Sequence, residues 1–284
     1  MRTTIDLTTD RPQTAVEALS EASDLSRQRI KDAMSKGACW WTHKGKQVRL
    51  RRATRELKPG TRIQLYYDDQ VLARKPETPE PLADHGRYSA WFKPHGMLSQ
   101  GSQWGDHCSL LRWVEIANGR PAYLVHRLDA DAAGLMLIAH DPKAAGALSQ
   151  RFTGREMTKV YQARVHGLLD VTDRQVDLPI DGKPALSRVS TLALDREAQC
   201  TLLQVSIETG RKHQIRKHLA SLNHPIVGDR LYGRAANQPL RLVAVHLAFH
   251  CPLTGKAMSL ALPDTLNDVG GPSPETSGRP PQPD

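Results

Sequence analysis

The loop around Asp129 holds the residue types best suited to chemistry. In the stretch HRLDADAAGLML, which begins at His126, Arg127 and Asp129 lie between apolar runs at 122–125 and 135–139. Two strands joined by a tight turn need only a pair such as Asn-Gly, which satisfies the backbone. An arginine and an acid at that place are more than such a turn requires. Taken alone, the aspartate is more often a turn or capping residue.

An arginine elsewhere in the chain is a candidate partner for Asp129. The stretch HQIRKHLASL predicts a helix over about 213–222, with apolar residues at i, i+4 and i+7 starting from Ile215. Arg216 lies beside that stripe. A guanidinium at the edge of a core is costly unless a carboxylate meets it. The alternative is that its stem extends along the protein to water.

Three further elements position these residues. TKVYQARVHG alternates as a strand, with Tyr161 on its apolar face so that only the hydroxyl needs a partner. Lys93-Pro94-His95-Gly96 predicts a loop after an apolar strand. In DPKAAGALSQRF, Asp141 is placed to cap a helix and Pro142 to occupy its first position.

Composition divides the chain into four parts. Residues 1–73 predict a small unit of two short helices and two strands, and 74–86 (RKPETPEPLADHG) predict a proline-rich linker. Residues 87–265 form the larger body. Residues 266–284 are rich in Pro, Gly, Ser and Asp and predict a disordered tail.

The overall charge favours a polyanionic partner. Lys and Arg number 39 against 30 acids, which gives a net charge of +9 with neutral histidines. Nucleic acid is the common partner of such a protein, although a merely soluble basic protein has the same balance. The basic residues concentrate in the small unit, where KGKQVRLRRATRELK holds seven of them and one acid. The candidate phosphate contacts there are Arg27, Arg29, Lys44, Lys46, Arg51 and Arg52.

Cysteine usage and hydropathy bear on location. The four cysteines are far apart and lack the spacing of a zinc site or a redox motif, which favours reduced thiols in a cytoplasm. The N-terminus has no apolar core of the kind a signal peptide needs, and no run approaches the roughly 20 apolar residues of a membrane span.

A metal site built from His126, Asp129, Asp131 and His140 is disfavoured, because no pair has tight ligand spacing.

The N-terminal unit resembles the small RNA-binding domain first named in ribosomal protein S-four. The pattern SDLSRQRIKDAMSKGA…GKQV…RELKPGTRIQLYY carries the resemblance. In that family, arginines and lysines of the helices grip RNA phosphates. This chain departs from the pattern by having His43-Lys44 where an Asn-Gly-Lys turn is usual.

The larger body resembles the RluA family of pseudouridine synthases over about residues 88–262. Three motifs occur in the family's order: HRLD with Gly134, KVYQARVHG, and TGRKHQIRKHLASLNHPIVGD. One departure stands out, since the family usually has Thr-Ser where this chain has Ala132-Ala133. Two hydroxyls that could hold the Asp129 loop are therefore missing.

The resemblance implies a fold and an activity. The fold would be α+β, a mixed, largely antiparallel sheet with flanking helices and a central cleft, joined to a small N-terminal α/β RNA-binding domain. The activity would be isomerisation of uridine in RNA to pseudouridine. That reaction involves no redox change and no energy source, so no cofactor and no metal is expected.

The resemblance also assigns roles in that reaction. Asp129 would act on the sugar, as nucleophile or as base, Arg216 would hold it ionised, and Tyr161 would stack on the base. The uridine must flip out of its stack, and Arg127 would fill the gap. The expected RNA contacts in the larger body are Arg127, Lys159, Arg211, Lys212 and His213.

Several readings of function stay open on the sequence. Family members with an S-four-like domain often modify large-subunit ribosomal RNA, which favours that substrate, but the third motif also resembles members that act on transfer RNA. An RNA-binding or ribosome-assembly factor without catalysis is a second class. The two alanines give it some support, whereas the presence of Asp129, Tyr161 and Arg216 together argues against it. A glycosidase or nuclease needs a second acid or a metal cluster. A cytoplasmic monomer that binds RNA and no membrane is expected.

Overall fold

The protein divides into two compact units. The computed structural model describes residues 1–75, 77–234 and 238–270. The first unit contains the described residues up to Lys75 together with Gln100–Gly119, and the second contains Glu77–Ser99 and the described residues from Arg120 on. This division differs from the contiguous parts read from composition, because 100–119 clusters with the N-terminal unit. A strand also lies inside the stretch that was predicted to be a linker.

The first unit is a four-stranded antiparallel sheet with helices, in the strand order β1-β6-β3-β4. A short pair, β2 with β5, lies apart from it. Its elements are β1 Arg2–Thr8, β2 Gln13–Thr14, α1 Ala15–Glu21, α2 Arg27–Ser35, β3 Cys39–His43, β4 Lys46–Arg49, β5 Glu56–Leu57, β6 Arg62–Asp68, α3 Asp69–Leu72 and α4 Leu110–Asn118. The two predicted helices (α1 and α2) and the two predicted strands (β3 and β6) are confirmed, whereas β1, β2, β4, β5 and α3 were not predicted.

Local sequence explains where these helices begin and end. Thr14 caps α1 through a capping box with Glu17, and Ser26 accepts a hydrogen bond from the Arg29 amide at the start of α2. Gly37 follows α2 with φ +82°, a conformation that favours glycine. The apolar faces of both helices are buried in the core of this unit.

Residues 100–119 join the first unit through side-chain contacts far apart in sequence. The Trp40 indole donates to the Gln103 carbonyl at 3.1 Å. Arg49 donates to the Ser102 carbonyl at 2.8 Å and forms an ion pair with Asp106 at 3.1 Å. Because these partners lie more than fifty residues apart, no local pattern could have assigned the segment to this unit.

The second unit is built on a ten-stranded sheet. Eight strands follow the order β12-β13-β14-β11-β15-β10-β8-β7, with β16 on β15 and β9 on β10. Its elements are β7 Glu80–Asp84, β8 Tyr88–Lys93, β9 Tyr123–Leu124, β10 Ala133–Ala139, α5 Pro142–Thr153, β11 Met157–His166, β12 Arg174–Asp177, β13 Leu186–Asp195, β14 Cys200–Ile207, α6 Gln214–Ser221, β15 Leu242–His250, β16 Ala257–Ala261 and a 3-10 turn at Asp264–Leu266.

Within the described residues, the pairing of β10 with β15 is parallel and every other strand pair of this sheet is antiparallel. The predicted α+β class with a largely antiparallel sheet is therefore confirmed.

Strand β10 follows the loop that carries Asp129 and lies inside the sheet. All of its residues are buried, between β8 on one side and β15 on the other. Gly134 has φ +117°, and a Cβ there would lie 2.4 Å from the backbone nitrogen and oxygen of Ala244. A side chain at this position would push β10 away from β15, so glycine is required for the close approach.

The predicted start of helix α5 and the predicted tail can both be compared with the structure. Helix α5 begins as expected, with the Asp141 carboxylate accepting from the Ala144 amide at 2.8 Å and Pro142 in the first turn. The first residues of the predicted tail at 266–284 are ordered, since Leu266 ends a 3-10 turn and Val269 is buried. Residues 271–284 of that prediction lie outside the described residues. None of the described helices is both long and apolar enough to cross a membrane.

Candidate active site

Asp129 lies in the loop between β9 and β10, with about a quarter of its side chain exposed. Its two oxygens face two different groups. Oδ1 lies 3.8 Å from Nε2 of His213, and Oδ2 lies 3.8 Å from a guanidinium nitrogen of Arg216. Both partners belong to the start of α6. The third motif therefore meets the first, and a carboxylate open to a ligand has a cation beside it.

The closest partner of Arg216 is a residue that the sequence analysis did not single out. Its Nε and Nη2 both donate to Asp229 at 2.7 Å, while Asp129 is reached only at 3.8 Å. The side chain is 2 % exposed, so it does not extend to water. Asp229 is the last residue of the third motif, and this position was the only feature of the sequence that pointed to a role for it.

Asp229 holds more than the arginine. Its Oδ1 also accepts from the backbone amides of Leu231 at 2.9 Å and of Tyr232 at 3.1 Å. Burial works to raise the pKa of Asp229, but the Arg216 and backbone donors outweigh it and lower the pKa. Burial likewise opposes the charge on Arg216, but Asp229, Asp129 and Asp131 outweigh it, so the pKa of Arg216 is raised. Both groups are therefore charged at neutral pH.

His213 is held in an uncommon conformation beside the acid. It precedes α6 with φ 56° and ψ 29°, in the left-handed region that costs a non-glycine residue energy. Its Nδ1 lies 2.9 Å from the hydroxyl of Tyr232. Burial lowers the pKa of His213, against the opposing charge of Asp129. The neutral imidazole, bonded to Tyr232 through Nδ1, directs Nε2 toward Asp129.

Tyr161 lies on β11, half-buried, and packs against the apolar cluster that contains Ile215 and Leu219 of α6. Burial raises the pKa of its hydroxyl, and the charge of Asp129 raises it further. The phenol is thus a neutral group close enough to Asp129 to sense its charge. It can present a ring face and one hydroxyl to a ligand.

The loop that carries Asp129 is held by side chains other than the two missing hydroxyls. Lys93 is fully buried, and its ammonium donates to the carbonyls of Met97 at 2.8 Å, Pro94 at 3.0 Å and Ala130 at 3.2 Å. His95 Nδ1 bonds the Asp131 carbonyl at 2.7 Å. Ala132-Ala133 therefore does not leave the loop untethered.

Burial of Lys93 has an electrostatic consequence. Desolvation lowers the pKa of its amine to about 7, while the charges of Asp129 and Asp131 act in the opposite direction. Near neutral pH the amine is therefore able to change its charge directly behind the loop. The sequence marked Lys93 only as part of a loop, since nothing local shows that its side chain turns inward.

His126, the first residue of the HRLD motif, has a structural role. Its Nε2 accepts from the Leu137 amide at 2.9 Å, and its ring stacks on Phe152 with centroids 4.1 Å apart. Burial lowers its pKa to about 3, so the ring stays neutral and keeps the acceptor. His126 thereby fixes the loop against β10.

The predicted RNA contacts of the second unit separate into exposed and buried groups. Arg127 and Lys212 are exposed. Arg211 is half-buried and donates to the Pro184 carbonyl at 3.1 Å. Lys159 is buried, its ammonium donates to the Glu208 carbonyl at 3.2 Å, and burial lowers its pKa. The exposed side chains of Arg127 and Lys212 can reach an RNA phosphate from solvent, whereas the buried ammonium of Lys159 cannot.

The candidate contacts of the first unit separate in the same way. Arg27, Lys44, Lys46 and Arg52 are exposed. Arg29 is also exposed, but its guanidinium forms two hydrogen bonds with Asp69, at 2.8 and 3.0 Å, and one with the Tyr67 hydroxyl. Arg51 pairs with Asp106 and donates to the Ser35 carbonyl. The side chains of Arg29 and Arg51 are therefore engaged in contacts within the first unit.

Among the described residues, no group of three or more His, Cys, Asp or Glu side chains could hold a metal ion. His140, one member of the disfavoured set, instead bonds the Ser89 hydroxyl at 2.8 Å and the Pro121 carbonyl at 3.0 Å.

The second unit combines a mostly antiparallel sheet with an accessible acid, a buried guanidinium beside it and a neutral phenol nearby. Comparison with known proteins identifies the class of enzyme that has this combination. The family model described as RNA pseudouridylate synthase matches residues 87–221.

Individual relatives agree with the family model. An uncharacterised RNA pseudouridine synthase of Aquifex aeolicus (strain VF5) is 31 % identical, over 87 % of this chain and 89 % of its own length. The dual-specificity RNA pseudouridine synthase RluA of Pasteurella multocida (strain Pm70) is 34 % identical, over 68 % of this chain and 98 % of its own.

A solved structure supports the fold. Human RNA pseudouridylate synthase domain containing 1 aligns with a TM-score of 0.57 at 21 % identity, over 68 % of this chain and 88 % of that one. The chain belongs to the RluA-type family of RNA pseudouridine synthases, which are isomerases.

Proposed function

We propose that the enzyme isomerises specific uridines of large-subunit ribosomal RNA, with Asp129 acting on the sugar. The reaction breaks the bond between N1 of the base and C1′ of the ribose, turns the base, and joins C5 to C1′. The proton displaced from C5 is balanced by one gained at N1. Atoms and electrons balance within the substrate, so acid–base chemistry is sufficient.

The observation that carries the proposal is the placement of Asp129. Its carboxylate is accessible, it lies 3.8 Å from the buried guanidinium of Arg216, and Arg216 is itself fixed by Asp229. The guanidinium places a positive charge beside this carboxylate. An ionised acid is what either route needs, whether it attacks C1′ or removes a proton from the sugar. The same arrangement disfavours a factor that has lost catalysis.

Two further residues complete the proposed chemistry. Tyr161 offers a ring on which the base can stack, and its neutral hydroxyl is available for proton transfer at C5. Arg127 is exposed on the same loop as Asp129 and is suited to fill the space that the uridine leaves. Flipping costs a few kcal/mol, which contacts of this kind offset.

The exposed cations of the first unit support ribosomal RNA as the substrate. Arg27, Lys44, Lys46 and Arg52 project from an S-four-like pattern, and a second RNA-binding element suits a large folded RNA. Transfer RNA is the second candidate, because the third motif resembles family members that modify it. We further propose a cytoplasmic monomer; all four cysteines are free and buried, as suits a reducing compartment.

Mapping pseudouridine in total RNA from cells with and without the gene tests these proposals together. We expect one or a few positions in large-subunit ribosomal RNA to lose the modification and to regain it with the wild-type gene. Asp129→Asn serves as the matched control and should not restore it. Loss confined to transfer RNA would overturn the ribosomal substrate. Restoration by Asp129→Asn would overturn the role of the acid.

A further inference from the structure

Leu231 is a large apolar side chain that the fold holds in solvent. Its exposed fraction is 64 %, among the highest of the large hydrophobic residues described. Single exposed leucines are common and need no explanation by themselves. This one is unusual because its backbone is fixed, as its amide donates to the buried Asp229 carboxylate at 2.9 Å. The loop is therefore not free to turn the side chain inward.

The residues on both sides of Leu231 contact the active site. Arg230 reaches Oδ1 of Asp131 at 3.3 Å, on the loop that carries Asp129. Tyr232 bonds Nδ1 of His213, whose other nitrogen faces Asp129. Leu231 lies between these two contacts in sequence and projects outward. It is thus placed at the rim of the site through which a nucleotide reaches Asp129.

The substrate class supplies a partner for an apolar group at that rim. When a uridine leaves its stack, the neighbouring base exposes an apolar face to water. Proteins that unstack bases often place a leucine against such a face. Arg230 is bound to Asp131 only through that single 3.3 Å contact, and its side chain is 66 % exposed, so its other donors can face a flanking phosphate.

We propose that Leu231 packs against the nucleobase next to the flipped uridine, and that Arg230 contacts the adjoining phosphate. This inference rests on the proposed function for its RNA. It adds a second substrate contact to the one expected of Arg127, from a different loop. Leu231 acts here through binding and leaves the chemical step to Asp129.

The test uses Leu231→Ala, Leu231→Met and, as a matched control, Leu192→Ala, which truncates an exposed leucine on β13. The probe is a synthetic RNA that contains a uridine converted by the wild-type enzyme. Leu231→Ala should weaken RNA binding about tenfold, the size of one modest apolar contact. Leu231→Met keeps an apolar chain and should stay within about twofold of wild type, as should Leu192→Ala.

A second set of RNAs identifies the contact. One carries an abasic nucleotide on the 5′ side of the target uridine and another on the 3′ side. With one of them, Leu231→Ala should bind as well as wild type, because the base that the leucine touches is already gone. Additive losses with both RNAs, or unchanged affinity of Leu231→Ala for intact RNA, would overturn the proposal. Failure of the proposed function has a different signature: the wild type then converts no uridine at all.

Discussion

The charged residues of the two units have opposite environments. In the first unit, the cations that fit RNA are exposed and sit on a hairpin and a helix face, as Lys44, Lys46 and Arg27 do. In the second, Lys93, Arg216 and Asp229 are fully or almost fully buried, and each makes two or more hydrogen bonds. Lysines and arginines are thus exposed to solvent in one unit and held by buried hydrogen bonds in the other.

Because of this difference, the two regions should respond differently when a charged residue is replaced. An exposed charge acts through a screened field, so removing one costs little and salt mimics the loss. A buried charge is stabilised by a few defined partners, and removing one partner leaves the other uncompensated. The following substitutions test that contrast, beginning with the acid that lies between the two extremes.

The largest effect is expected for Asp129→Asn, which keeps the size of the side chain and removes the charge. Turnover should fall on the order of 10³-fold or more, as it does when a group acting on the reacting centre is lost. RNA affinity should stay near the wild-type value, because the side chain is only partly exposed and the outer contacts remain. Single-turnover assays and binding measurements separate the two. Turnover within tenfold of wild type would refute the role of Asp129.

Asp229→Asn should be the most destabilising of the substitutions considered. It leaves the guanidinium of Arg216 buried without its paired charge, a loss of about 3–5 kcal/mol in the free energy of unfolding. Turnover should fall as well, since Arg216 faces Asp129. Urea denaturation measures the first effect.

The control for Asp229→Asn is Asp181→Asn, because the cation partner of each aspartate lies on α6. Lys217 pairs with Asp181 at 3.0 Å, but Asp181 is 68 % exposed. Asp181→Asn should therefore lower the free energy of unfolding far less than Asp229→Asn does. Equal losses for the two variants would show that burial does not distinguish the pairs.

Lys93→Met tests whether Lys93 holds the loop that carries Asp129, and whether its titration makes stability depend on pH. Lys93 titrates near 10.4 when unfolded, and burial lowers its pKa to about 7 in the folded protein. Between these values the unfolded state binds one more proton, so wild-type stability should rise with pH, by up to about 1.4 kcal/mol per unit. Lys93→Met should lack this rise and should lose about tenfold in turnover, because the Ala130 carbonyl loses its donor.

The outcome is read from denaturation curves between pH 7 and pH 10, with wild type and Lys93→Met measured in parallel. Parallel pH profiles for the two proteins would show that Lys93 does not titrate in this range. Unchanged turnover would show that the loop does not depend on it.

The smallest effects are expected in the first unit. Replacing Lys44, Lys46 and Arg52 by alanine should weaken RNA binding several-fold. The salt dependence of log Kd should fall by about 0.7 for each phosphate of single-stranded RNA that is no longer neutralised. The control replaces Arg11 and Arg62, which are already paired with Glu21 and Asp6. An equal loss in the control would mean that net charge, rather than these positions, determines binding.

Point substitutions are cleaner here than removal of the unit. Residues 100–119 pack with the N-terminal unit, so deleting residues 1–75 would strip that segment of its partners. A deletion would then change the remaining protein as well as its charge.

Short-range patterns in the sequence predicted several of the elements and the family. Helix α5 begins at Pro142 because Asp141 caps it, and β11 buries one face because its residues alternate. These are local effects, fixed by neighbours a few residues away. The order of the three motifs likewise indicated the class of enzyme before any geometry was known.

Only the tertiary structure decided which charges meet. Asp229 became the main partner of Arg216, Lys93 turned inward to hold the Ala130 carbonyl, and the segment at 100–119 joined the other unit. Each depends on contacts between residues distant in sequence, whose strength is set by burial and by distances of a few ångströms. A linear pattern records residue type and spacing, and neither states how far a charge lies from water.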